Sequence, residues 1–118
     1  MSQEKEMAQL ACKAIDEKKG QDIKVIDIHE VSVIADYFVI ASASNLNQVD
    51  AIVDNVQEQL GRAGFEPKQV EGSKNSSWIL MDYGDVIVHI FDEENRLFYD
   101  LERIWRDGKI LSMDEFLE

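Results

Sequence analysis

Two segments of the chain carry apolar residues at helical spacing. The first segment comprises Met7, Leu10, Ala11, Ala14 and Ile15. The second comprises Leu46, Val49, Ile52, Val53, Val56 and Leu60. The spacing predicts two amphipathic helices. Gly20 ends the first helix, while Asn45 and Gln48 stand at the spacing of a capping box that starts the second.

Runs of β-branched and aromatic residues predict five strands between and after these helices. The runs lie at residues 23–28, 36–41, 65–71, 78–82 and 85–91. Tyr83-Gly84 predicts a tight hairpin turn between the last two strands, because glycine tolerates a positive φ. Pro67 has no N–H for a sheet ladder, so the third strand is expected at a sheet edge.

The end of the chain predicts one more helix, or two short ones, and a tail. Leu97, Phe98, Leu101, Ile104 and Trp105 have helical spacing, and Gly108 ends that helix. The order is α-β-β-α-β-β-β-α: a single α/β domain with a mixed five-stranded sheet and flanking helices. The helix between the second and third strands predicts that these two strands run parallel. The domain is expected at 1–108, with 109–118 as a C-terminal tail that packs or frays.

Charge narrows the choice of partners. The chain has 118 residues and a formal net charge of −12. Such acidity argues against free nucleic acid and against anionic membranes as partners, since both need a basic surface. Cys12 is the only cysteine, which fits a reducing compartment, and no signal peptide or apolar span is evident. We therefore expect a cytoplasmic protein, with Cys12 in the core.

The residues with catalytic or metal-binding chemistry form no strong pattern. Asp27 and His29 lie on one side of a strand end, but a metal site needs at least a third protein ligand. His89 lies mid-strand and is expected to be buried and hydrogen-bonded rather than a catalytic base. Asp82 and Asp85 flank a turn, where aspartates bind local amides. Glycine-rich phosphate loops and nucleophile motifs are absent, so we expect no catalytic residues, no metal and no cofactor.

Aromatic residues are dense towards the acidic end of the chain. On a strand, Trp78 and Asp82 share one face, while Met81 and Tyr83 share the other. If helices cover one face of the sheet, part of the opposite face is left bare. Tryptophan and tyrosine rimmed by carboxylates are typical of an interface for a Lys/Arg-rich partner.

Several ordered segments carry a family resemblance. They include 36–40, Glu71-Gly72, the run WILMDYGDVIVHIF at 78–91 and the run RLFYDLERIW at 96–105. Together these resemble the Iojap family, the ribosomal silencing factors, over nearly the whole chain. The resemblance implies a fold like a nucleotidyltransferase core that lacks the catalytic carboxylates.

The resemblance also implies a function without catalysis. Family members bind the large ribosomal subunit through its ribosomal protein number fourteen and stand where the small subunit must dock. Initiation then falls when nutrients are scarce. The alternative is a metal-dependent nucleotide-binding or nucleotidyltransferase-like enzyme that uses Asp27, His29, Asp82 or Asp85.

Aromatic density, charge and resemblance together predict one partner-binding surface. It consists of Trp78, Met81, Asp82, Tyr83, Tyr99, Asp100 and Glu102. Trp78 and Tyr99 are expected as anchors, Met81 as an adaptable filler, and the carboxylates as partners for lysine and arginine. A homodimer formed through this same surface remains an alternative.

Overall fold

The computed structural model describes residues 3–28, 35–72, 78–92 and 109–111. In that part of the chain the helices are α1 (Gln3–Glu17) and α2 (Leu46–Arg62). The strands are β1 (Gln21–Asp27), β2 (Tyr37–Ala43), β3 (Gln69–Glu71), β4 (Trp78–Asp82), β5 (Val86–Asp92) and β6 (Lys109–Leu111). The prediction of a last helix, based on Leu97 to Trp105, concerns residues outside the described ranges. No helix within the described ranges has the length and apolar character needed to cross a membrane.

The strands form one mixed sheet in the order β3-β4-β5-β2-β1-β6. The β2–β5 pair is parallel, and the other neighbouring pairs are antiparallel. The predicted α/β class, the mixed sheet and its five strands are confirmed. The short β6 is an addition: residues 109–111, at the start of the expected tail, pair with β1.

The second and third strands run parallel, as predicted, but they are not neighbours in the sheet. The parallel neighbour of β2 is β5, and β3 lies two strands further out at the edge. Burial explains the arrangement: nearly every residue of β2 and β5 is buried, whereas all three residues of β3 are exposed. A strand that is apolar on both faces belongs at the centre of a sheet. The edge position predicted from Pro67 is confirmed.

Both helices pack against one face of the sheet and form the larger core there. Val49, Ile52 and Val56 of α2 are fully buried against Val39 and Val88 of the central strands, in one apolar cluster. Cys12 of α1 joins this core at 1% exposure, as predicted, and burial raises the pKa of its thiol to about 12. A thiol in this state is a packing group and not a nucleophile.

The predicted cap at the start of α2 is present, except that the reciprocal bond of Gln48 goes to the residue before the N-cap residue Asn45. The Asn45 side-chain oxygen accepts a hydrogen bond from the Gln48 amide at 2.9 Å, and Gln48 Oε1 accepts one from the Ser44 amide at 2.6 Å. Gln48 Nε2 also donates to the carbonyls of Lys18 and Lys19 just after α1. Asn45 therefore caps α2, and the Gln48 side chain links the start of α2 to the end of α1.

The opposite face of the sheet carries a second apolar cluster and is not bare. Its buried members are Ile26, Ile28, Ala35, Phe38, Ile40, Ile87 and Phe91. Trp78 and Leu80 of β4 pack against this cluster and are only partly buried. Among the described residues of this face, exposed apolar surface is therefore concentrated at the β4 side, next to the edge strand.

Gly72 controls the junction between β3 and β4. Its φ is +99°, and a Cβ atom there would lie 2.7 Å from the Trp78 carbonyl oxygen.

We expect Gly72→Ala to lower the free energy of unfolding by about 3 kcal/mol or more, through backbone strain and steric overlap. Gly64→Ala is the matched control, because its φ is +92° with open space around it, so only strain of about 1 kcal/mol applies. Urea denaturation compares the two; equal losses would contradict the steric role of Gly72.

Candidate partner-binding site

Alternation along β4 divides its side chains between the two faces of the sheet. Trp78, Leu80 and Asp82 are partly exposed, whereas Ile79 and Met81 are buried. This confirms that Trp78 and Asp82 share one face. The exposed face of β4 lies opposite the two helices, because Ile79 and Met81 belong to the helix-covered core.

Two predicted contact residues lie in that core and not on the surface. Met81 is 0% exposed and Tyr83 is 5% exposed, and both belong to the helix-side cluster. Met81 alternates inward on β4, and the Tyr83 ring follows it into the same core. Burial, with a smaller effect of Glu66, raises the pKa of Tyr83 to about 12. The idea that these two side chains meet a partner directly is therefore wrong for this structure.

The indole of Trp78 contacts two aromatic side chains on the adjacent strand β5. It stacks on Phe91 of β5 at 5.5 Å between ring centroids and 17° between planes. It also stacks on His89 at 6.0 Å, and its Nε1–H donates to His89 Nδ1 at 3.2 Å. Phe38 of β2 meets the His89 ring edge-on at 5.0 Å. Trp78 is thus partly exposed, while its contacts with Phe91 and His89 hold the ring in place.

The edge strand β3 adds two side chains that sequence reasoning missed. Glu71 pairs with Leu80, and Gln69 pairs with Asp82, so all four lie on the exposed face of the sheet. Gln69 Nε2 donates to Glu71 Oε1 at 2.8 Å, which agrees with a shared face. Pro67 marked β3 as an edge in the sequence, but the register that brings Glu71 beside Leu80 was not readable from it.

We call this surface the β3–β4 patch. It consists of Gln69, Glu71, Trp78, Leu80 and Asp82. An apolar centre of Trp78 and Leu80 is flanked by the carboxylates of Glu71 and Asp82. The remaining predicted contacts, Tyr99, Asp100 and Glu102, lie outside the described residues.

Asp82 has a structural task as well. Its Oδ1 accepts a hydrogen bond from the Gly84 amide at 2.7 Å, and Gly84 has a φ of +91°. The interpretation of Asp82 as a turn residue is confirmed. Substitution of Asp82 would therefore alter the turn along with the charge of the patch, which makes Glu71 the better residue for testing charge.

His89 is buried, as predicted, and hydrogen-bonded through Nδ1. It is 4% exposed, and burial lowers its pKa to about 4. The imidazole is therefore neutral near pH 7, with Nδ1 as an acceptor and the proton on Nε2. Among the described residues no group accepts a hydrogen bond from Nε2. Within the described ranges its ring contacts are with the aromatic side chains of Phe38, Trp78 and Phe91.

The buried imidazole makes folding stability depend on pH. The folded pKa of His89, about 4, lies below the ordinary value of 6.5, so the unfolded chain binds the proton first. Its stability contribution is complete above pH 6.5 and is lost as pH falls towards 4. We expect the free energy of unfolding to drop by about 2 kcal/mol more between pH 7 and pH 5 than in His89→Leu. Urea denaturation at both pH values measures this; an equal drop in both proteins would contradict it.

The described residues assemble no metal site. No group of three or more His, Cys, Asp or Glu side chains within the described ranges could hold a metal ion. Asp27 and Asp82 end strands β1 and β4, and the Asp85 carbonyl binds the amides of Asp36 and Tyr37. His29 lies outside the described residues. The start of α2 binds its own side chains, so it does not present the consecutive free amides of a phosphate loop.

Sequence comparison finds one matching family profile and several similar proteins of known name. A sequence profile described as "Ribosomal silencing factor during starvation" matches residues 1–118. The ribosomal silencing factor of Bacillus subtilis is 35% identical over 111 residues, which is 94% of each chain. The chloroplastic protein Iojap of Zea mays is 36% identical over 93 residues, 79% of this chain and 40% of that one.

The solved structures agree with the sequence comparison. A crystal structure of a Chromobacterium violaceum protein has a TM-score of 0.85 at 32% identity and covers 94% of this chain and 92% of that chain. A Bacillus halodurans protein has a TM-score of 0.80 at 33% identity and covers 91% of this chain and 97% of that one. Fold and sequence thus define a small α/β protein of the class that regulates translation. The chain belongs to the ribosomal silencing factor family, as its resemblance to Iojap indicated.

Proposed function

We propose that this protein represses translation by binding the large ribosomal subunit through ribosomal protein number fourteen. The bound copy occupies the surface on which the small subunit docks, so initiation falls under nutrient limitation. Family membership supports a role at the ribosome, since relatives are named as silencing factors and not as enzymes. The protein acts in the cytoplasm by occupancy, without a catalytic residue, metal or cofactor.

The observation that carries the proposed site is the β3–β4 patch. A tryptophan that is partly exposed and fixed by ring stacking has the properties of an interface anchor, because it loses little conformational freedom on binding. Leu80 extends the apolar centre, and the Glu71 and Asp82 carboxylates suit lysine or arginine on the partner. We assign Tyr99, Asp100 and Glu102 to the same interface on the strength of the family resemblance.

Charge determines where on the ribosome such a protein can bind. At −12 the chain is repelled by ribosomal RNA. It approaches where a basic protein is displayed, and opposite charges there raise the association rate. Because salt screens this attraction, binding is expected to weaken as ionic strength rises.

Silencing by occupancy sets a concentration requirement. Blocking about 99% of large subunits needs free protein at about 100 times its dissociation constant. The repressor must therefore accumulate relative to its affinity, and no turnover of a substrate is needed.

Two linked experiments test the proposal. Purified ribosomal protein number fourteen, free of RNA, is titrated with the chain by calorimetry, with light scattering to detect any competing homodimer. Purified large subunits preincubated with the chain are then mixed with small subunits and separated on sucrose gradients. We expect RNA-independent binding and a dose-dependent loss of joined ribosomes. Joining that is unaffected at saturating protein would reject the mechanism.

A further inference from the structure

We propose that His89 is a positioning residue, which holds the indole of Trp78 in the orientation that the partner meets. This inference rests on the proposed function only where it concerns the partner. The positioning itself is a property of the free protein and can be measured without a ribosome.

Strand register places the three rings in one stack. Trp78 pairs directly with Phe91, and His89 stands two residues before Phe91 on the same face of β5. His89 is thus the diagonal neighbour of Trp78, within reach of a large side chain. The His89 and Phe91 rings are nearly parallel, at 6° between planes and 6.2 Å between centroids. Together they form a platform for the indole.

The hydrogen bond distinguishes His89 from the apolar part of this platform. Stacking on Phe91 alone would set the plane of the indole but would still allow the ring to turn over, because the stacked arrangement does not specify where the N–H edge points. The indole has one donor, Nε1–H, and it points at His89 Nδ1 at 3.2 Å. Stacking and this bond together fix both the plane of the ring and its direction within that plane.

Burial shows that this arrangement carries a cost for folding. His89 is 4% exposed, and among the described residues its Nε2 has no hydrogen-bond partner. An unsatisfied buried polar group destabilises the fold, so an apolar residue would give a more stable core here. His89 therefore orients Trp78 but gives a less stable core than an apolar residue would.

The test compares His89→Leu, which removes the acceptor, with His89→Asn, whose side-chain oxygen can replace Nδ1. The indole N–H signal of Trp78 is followed by NMR in the free protein and assigned by its loss in Trp78→Phe. We expect the signal to shift upfield and its hydrogen to exchange faster in His89→Leu. Affinity for ribosomal protein number fourteen should fall about three- to tenfold, the cost of ordering one side chain on binding. The melting temperature should be unchanged or raised.

His89→Asn should restore the indole signal and the affinity at least in part, which a merely structural role for His89 would not predict. An indole signal and affinity in His89→Leu equal to those of the unaltered protein would overturn the inference. If either variant fails to fold, a measurement on the unaltered protein still tests the hydrogen bond. A coupling between Trp78 ¹⁵Nε1 and His89 ¹⁵Nδ1 is expected across the hydrogen bond, and its absence would refute the positioning. If Trp78→Ala leaves binding intact, the proposed function fails while the indole measurements still stand.

Discussion

Replacement of Trp78 by alanine is expected to weaken binding to ribosomal protein number fourteen by about 30-fold or more. Truncating a central aromatic anchor costs roughly 2 kcal/mol or more, and each 1.4 kcal/mol is about tenfold in affinity. Trp78 is the large aromatic side chain of the described patch that is accessible to a partner while resting on the buried Phe91 and His89. Calorimetry with the purified partner measures the effect.

A loss of stability must be separated from this loss of binding. Trp78 also packs on the second core, so the alanine variant will unfold at a lower temperature. Val53→Ala is the matched control, because it shortens a buried side chain on α2, which faces the helix side of the sheet. We expect the control to melt earlier and to bind normally. Full binding by folded Trp78→Ala would place the interface elsewhere.

Reversal of the charge at Glu71 has the second-largest expected effect. Glu71 is exposed on β3, opposite Leu80. Glu71→Lys replaces an attraction to a basic partner with a repulsion, and like-charge contacts at an interface are costly. We expect affinity at low salt to fall by about tenfold or more, mainly through a slower association rate, since a rim charge acts chiefly there.

The control for Glu71 changes net charge by the same amount on another surface. Asp54 is exposed on α2, and Asp54→Lys keeps the β3–β4 patch intact. Surface plasmon resonance at two salt concentrations should show a steep salt dependence for Asp54→Lys and the unaltered protein, and a shallow one for Glu71→Lys. Equal losses in both variants would mean that net charge, and not the patch, controls binding.

Local features of the fold were predictable because local physics sets them. The helical stripes, the Asn45–Gln48 cap, the Gly84 turn and the edge position implied by Pro67 each depend on a few neighbouring residues. The alternation that puts Trp78 on one face and Met81 on the other follows from strand geometry. His89 was correctly expected in the core, since an apolar residue lies on each side of it.

Long-range features were not predictable from the same patterns. The placement of β5 beside β2 depends on which strands are buried on both faces, and several strands compete for that position. Glu71 joins the patch only through its register with Leu80. Strand alternation puts Tyr83 on the same face as Met81, but it does not show that the two helices cover that face. The Trp78–His89 bond requires a diagonal contact across two strands.

Hydroxyl-radical footprinting of the chain, free and bound to purified ribosomal protein number fourteen, tests the proposed interface most directly. It reports the solvent exposure of individual side chains. Trp78 and Leu80 are partly exposed in the free protein, and Leu46 on α2 is 36% exposed and serves as an internal reference. We predict that binding slows oxidation of Trp78 and Leu80 and leaves Leu46 unchanged. Unchanged oxidation of Trp78 in the complex, with protection of Leu46, would show that the partner docks on the helices instead.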